Sequence, residues 1–101
     1  MTAYMIFIRD EPVRDKEAMA EYQRINAANR SSDFAVKPLA VYGTMEGIEG
    51  PAPDGLIMLE FPSMEEAKAW YNSPGYQEAL PFRMQAAEYR AILVEGLAPP
   101  K

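Results

Sequence analysis

Leu56-Ile57-Met58-Leu59-Glu60-Phe61-Pro62-Ser63-Met64-Glu65-Glu66-Ala67 carries a strand, its end and the start of a helix in one unbroken stretch. Leu56 to Phe61 is apolar and β-prone and too short for a helix, so it reads as a strand. After Pro62, the Ser63 hydroxyl is followed three residues later by Glu66. That capping-box spacing satisfies orphan backbone donors at a helix start. Met64, Ala67, Trp70 and Tyr71 form the inner stripe of this helix. Asn72-Ser73-Pro74-Gly75 ends it, because proline disfavours a helical residue before it. Short helical turns are expected from Tyr76 through Ala87.

Upstream, Gly43 to Gly55 contains four glycines, Pro51 and Pro53, and closes on Pro-Asp-Gly. It reads as a hairpin connection, with room for an irregular continuation of the preceding strand through Ile48. That preceding strand, Phe34 to Tyr42, includes Pro38, which cannot donate to a ladder and so marks a sheet edge or a bulge. Asp15 is placed to cap a helix whose inner face is Ala18, Tyr22, Ile25 and Asn29, with Glu17, Glu21 and Arg24 outside. It should end near Arg30, broken by Ser31-Ser32-Asp33. Tyr4 to Ile8 is the first strand and Ala91 to Val94 the last. One domain over residues 1–97 and a short tail, 98–101, complete the chain. It shows no repeat.

The order strand, helix, strand, strand, helix, strand predicts an α+β, ferredoxin-like sandwich: a four-stranded antiparallel sheet with two helices on one face. Met5 to Ile8, Leu56 to Leu59 and Ala91 to Val94 are apolar at consecutive positions, so both faces of the sheet need cover. Two helices cover one face. The other is expected to meet a second copy, giving a homodimer of the dimeric α+β barrel type.

Composition narrows the chemistry. At 101 residues with 49% hydrophobic and 25% charged side chains, the chain has ordinary globular composition. A net charge of −5 disfavours nucleic acid and anionic lipid as partners. Ala3 to Ile8 is far shorter than the roughly 20 apolar residues of a bilayer span and runs into Arg9-Asp10-Glu11. The start therefore reads as a strand and not a signal peptide, and the expected location is cytoplasmic. The chain has no Cys and no His. That removes Ser-His-Asp and Cys-His nucleophiles, the usual zinc sites and histidine-ligated haem; a tyrosine haem ligand is formally left open.

Glu60 sits inside an otherwise apolar strand, a position that suits a carboxylate to proton transfer if buried; simple exposure near the strand end is the alternative. Tyr22, Tyr42, Trp70, Tyr71 and Tyr76 could line an aromatic pocket with phenol donors, or simply pack the core. Glu17, Glu21, Glu65 and Glu66 are accounted for by capping and a solvated helix face. No metal or cofactor is expected.

The run from Leu59 through Ala67, continuing Ala69-Trp70-Tyr71-Asn72-Ser73-Pro74-Gly75-Tyr76-Gln77, resembles an uncharacterised bacterial family, domain of unknown function 1330. Arg83 to Gly96 resembles that family's last helix and strand. The resemblance covers nearly the whole chain and implies the dimeric α+β barrel superfamily. Its relatives include cofactor-free monooxygenases, muconolactone-isomerase-like enzymes and haem enzymes. From Ser31 to Gly47 the chain departs from the family pattern, with Asp33-Phe34-Ala35-Val36-Lys37-Pro38 where a Gly-Gly-Arg-like turn is usual.

Arg83 matches a recurrent arginine of that family and could hold a carboxylate or enolate through its planar fork. The alternative is an ion pair with Glu78 or Glu88, or across a dimer. The leading expectation is a homodimeric domain that binds a small organic acid or aromatic molecule, with isomerase or cofactor-free monooxygenase chemistry. The rival is a non-catalytic structural or interaction module whose main property is dimerisation.

Overall fold

Seven elements follow one another along the computed structural model, which describes residues 1–29 and 34–97. They are β1 (Ala3–Arg9), α1 (Lys16–Ala28), β2 (Lys37–Val41), β3 (Gly55–Phe61), α2 (Met64–Tyr71), α3 (Pro74–Ala86) and β4 (Tyr89–Glu95). The expected helix break at Arg30 to Asp33 and the tail 98–101 lie outside the described residues.

Local chemistry sets the helix starts. Asp15 accepts a 2.9 Å hydrogen bond from the Ala18 amide, and Ser63 accepts one of 3.1 Å from the Glu66 amide. Ser73 caps a third helix, accepting from the Tyr76 amide while donating to the Trp70 carbonyl. The expected short helical turns from Tyr76 are therefore part of a continuous 13-residue helix, and the described residues form three helices, not two. Pro74 takes the first helical position, where its missing N–H is no loss, so it begins α3 as well as ending α2.

The strands form one antiparallel sheet in the order β2-β3-β1-β4, the ferredoxin-like arrangement, with β2 on an edge and a register shift between Pro38 and Ala40. No strand continues through Ile48. Alternation divides the side chains between the two faces. Ala3, Met5, Phe7, Leu59 and Phe61 point to the helices and are buried, Phe61 being only 1% exposed. With Ala67 of α2 they form the main core, and Trp70, Tyr71, Leu93 and Tyr89 pack around it.

A smaller core joins α1 to α3 through Ala18, Met19 and Ala86, and Tyr89 packs against it too. Among the described residues, no helix covers the opposite sheet face. That face presents Tyr4, Ile6, Ile8, Leu56, Met58, Ile92 and Val94, the last two 44% and 45% exposed.

Candidate functional site

Register places the first pair of the site. Arg9 at the end of β1 stands between Gly55 on β3 and Tyr89 on β4, so the guanidinium and the phenol meet at one end of the sheet. Arg9 Nη1 donates to the Tyr89 hydroxyl at 3.3 Å, and Nη2 reaches the Asp54 carbonyl and carboxylate at 3.4 Å. The Tyr42 ring lies 5.3 Å from the guanidinium, and the Tyr42 and Tyr89 hydroxyls are 2.6 Å apart. Gly55 makes this stacking possible. A Cβ there would stand 3.0 Å from Tyr42 Cε1 and 3.1 Å from Arg9 Cζ.

Tyr42 also carries the only positive φ among the described non-glycine residues, +51°. For a bulky side chain that backbone is strained, and tertiary contacts must hold it.

From the helix layer, Tyr76 and Arg83 descend two turns apart on one face of α3, and Tyr22 descends from α1. The Tyr22 and Tyr76 hydroxyls are 3.2 Å apart, with their rings edge to face. Arg83 is 6% exposed, and its guanidinium carbon lies 5.1 Å from the Phe7 ring centre and 5.2 Å from that of Tyr89. Its Nε and Nη1 are buried without hydrogen-bond partners. Among the described residues no carboxylate pairs with it. Both expected partners are engaged elsewhere: Glu78 accepts from Asn29 and Glu88 from Arg14.

Burial raises the Tyr22 phenol far above its ordinary value, and the neighbouring Tyr76 adds to this. Burial likewise raises Tyr76 and Tyr42. At neutral pH these hydroxyls keep their protons. The cluster thus offers two guanidiniums and the phenol hydroxyls of Tyr22, Tyr42, Tyr76 and Tyr89 as hydrogen-bond donors. It suits negative charge on oxygen.

A cleft of about 640 Å³ lies beside it, between β2, the end of α1 and the α2–α3 junction, lined by Phe34, Leu59, Trp70, Tyr76, Asn26 and Ser73 among others. Trp70 and Tyr76 pack with ring centres 4.4 Å apart. Tyr76 is common to the cleft and the cluster, whereas Arg83 does not line the cleft.

Residues 2–97 match the family model described as domain of unknown function (DUF1330). The chain belongs to the DUF1330 family. Its fold is shared with solved structures of low identity. A protein of unknown function from Rhodopseudomonas palustris is 22% identical, with 97% of this chain and 84% of that one covered and a TM-score of 0.68. A dimeric ferredoxin-like protein of unknown function from Jannaschia is 10% identical, with 95% and 100% covered and a TM-score of 0.66. An ethyl tert-butyl ether D family protein from Bacillus halodurans is 14% identical, with 96% and 100% covered and a TM-score of 0.62. No curated protein matches this DUF1330 chain.

Of the residues singled out in the sequence, the DUF1330 fold gathers Tyr22, Tyr42, Tyr76 and Arg83 into one cluster and sets Trp70 against the cleft. Tyr71 packs on Tyr76 from the outside, with ring centres 5.3 Å apart. Glu60 is not among them. It lies on the helix-free face, opposite Tyr4 and Lys37, so it and Arg83 are on opposite sides of the sheet. Glu21 pairs with Arg24, and among the described residues no group of three acidic side chains comes together. No described helix is long and apolar enough to cross a membrane.

Nothing in the local sequence singles out Arg9 or Tyr89. Arg9 looks like the charged end of a strand, and Tyr89 precedes the apolar run of β4. Only the β1–β4 register brings them together.

Proposed function

We propose that this domain binds a small organic anion, an aromatic or unsaturated acid, between its helices and its sheet, and that it does so as a homodimer. One observation carries the reading: Arg83 is a buried cation with unpartnered donors and no described carboxylate to neutralise it. A buried charge is strongly disfavoured unless it is paired. An anionic ligand is the partner that the fold lacks.

The adjoining cleft falls within the roughly 300–1,000 Å³ range of small-molecule sites and gives a flat molecule Trp70 and Tyr76 to pack against. Tyr76 and Tyr22 would then donate to an acid group directed toward Arg83. The cluster supplies charge stabilisation and proton donors, and no described carboxylate in it is placed to take a proton. Binding is therefore the primary role. The chemistry it favours is stabilisation of negative charge on an oxygen of the bound acid, which the guanidinium would hold.

The homodimer rests on the uncovered apolar face. Pairing it with the same face of a second copy buries several hundred Å² at about 25 cal/mol per Å². Two solved structures of similar fold are described as dimeric, which supports a pair of copies.

Thermal melts with benzoate, cinnamate and 2-hydroxybenzoate test the site, because a ligand selective for the folded state raises the melting temperature. The acids should raise the Tm of the wild type and leave that of Arg83→Met unchanged. Equal shifts in both proteins, or none in the wild type at millimolar acid, would overturn the reading.

A further inference from the structure

Arg83 is not the only cation in the helix–sheet layer. Arg9 reaches the same tyrosine from the far end: its guanidinium carbon is 5.9 Å from the Tyr89 ring centre, against 5.2 Å for Arg83. Arg9 is mostly buried, with its side chain 14% exposed, and its Nε has no hydrogen-bond partner. Its one carboxylate contact, Asp54, is 41% exposed and 3.4 Å away, a long contact for a charged pair. In a protein of net charge −5, two converging arginines with one weak counter-ion form a local positive field.

From this bracketing of Tyr89 by two under-neutralised guanidiniums, we infer that the ligand is two-headed. It is a flat dicarboxylate, or an acid with a second anionic oxygen, one end on Arg83 and the other on Arg9. The inference rests on the reading of Arg83 as an acid-binding residue and adds the second recognition point.

Asp54 is the only described carboxylate that Arg9 contacts, and it reaches the guanidinium from the exposed side. A second carboxylate could replace that weak contact without disturbing the Arg9–Tyr89 hydrogen bond. Tyr42 and Tyr89 would serve as donors at this end, as Tyr22 and Tyr76 would at the other. A ligand with one acid group would leave Arg9 as it stands in the free protein.

The test compares benzoate with its ortho-, meta- and para-carboxylated derivatives in thermal-shift titrations on the wild type, Arg9→Met and Arg83→Met. At least one dicarboxylate should bind the wild type about ten- to a hundredfold more tightly than benzoate, the range for one added charged hydrogen bond. Arg9→Met should weaken that dicarboxylate by a clearly larger factor than it weakens benzoate, removing most of the preference between them. Two results would overturn the inference: benzoate binding as tightly as all three dicarboxylates, or Arg9→Met weakening benzoate and the dicarboxylate by the same factor. If no acid binds the wild type, the Arg83 reading fails first and separately. Arg9→Lys, which keeps the charge without the planar fork, guards against misfolding of the methionine variant and should keep part of the preference.

Discussion

Replacing Arg83 with methionine should make the free protein no less stable, and up to about 2 kcal/mol more stable. Two guanidinium nitrogens are buried without partners, and each unsatisfied donor costs about 1–3 kcal/mol. Against this stand two ring contacts, to Phe7 and Tyr89, each worth about 2 kcal/mol when desolvated. The two sums nearly cancel. Methionine keeps most of the packing volume of the arginine stem and adapts to irregular gaps, so it should not leave a cavity. The balance therefore tips toward the variant by removal of the uncompensated charge.

Urea denaturation without ligand measures the difference directly, and at about 4–8 °C per kcal/mol for a domain near this size a melt resolves it too. A loss of more than about 2 kcal/mol in Arg83→Met would refute the argument. It would show that the arginine is held in place by its rings as a structural cation. Stability unchanged or raised, with acid binding lost, is the pattern of a side chain kept for a ligand at the fold's expense.

Three further outcomes follow from named contacts. The folded-state phenols of Tyr22 and Tyr76 are raised, so their contribution is complete below about pH 10, where both states are protonated, and declines above it as the unfolded chain ionises first. Denaturation series across pH 9–11 should show stability falling, by up to about 1.4 kcal/mol in total over that range for a phenol that stays protonated in the fold, and Tyr22→Phe should remove its share of the fall. Ile92→Lys places a charge on the open sheet face; sedimentation should show a folded monomer, where the wild type is expected to be a dimer. Phe61→Ala, at a side chain 1% exposed in the main core, should cost about 3–5 kcal/mol in chemical denaturation.

Much of the fold could be read along the chain because the local signals agree with the tertiary structure. Asp15 and Ser63 cap helices as their spacing indicates, and the consecutive apolar residues of β1 and β3 do divide between two faces. The third helix was hidden by its prolines. Pro74 reads as a terminator but starts α3, and Pro81 lies within it on an exposed position, where its ring faces solvent.

For the site, the aromatic residues and Arg83 could be selected by type and helical position, but not the geometry that joins them. The pairing of Arg9 with Tyr89 depends on strand register across 80 residues of sequence. Glu60 alternates with Leu59 and Phe61, both of which are buried toward the helices. Strict period-2 reading of β3 would have assigned it to the opposite face from Arg83.

Among the described residues, Tyr89 is the one side chain that packs against both hydrophobic cores, the sheet core beneath α2 and the seam between α1 and α3. A shift of α1 and α3 over the strands would therefore change the surroundings of this ring, whose hydroxyl accepts from Arg9 and whose face lies near Arg83. Its aromatic resonances should thus register such movement earlier than those of any residue confined to a single layer.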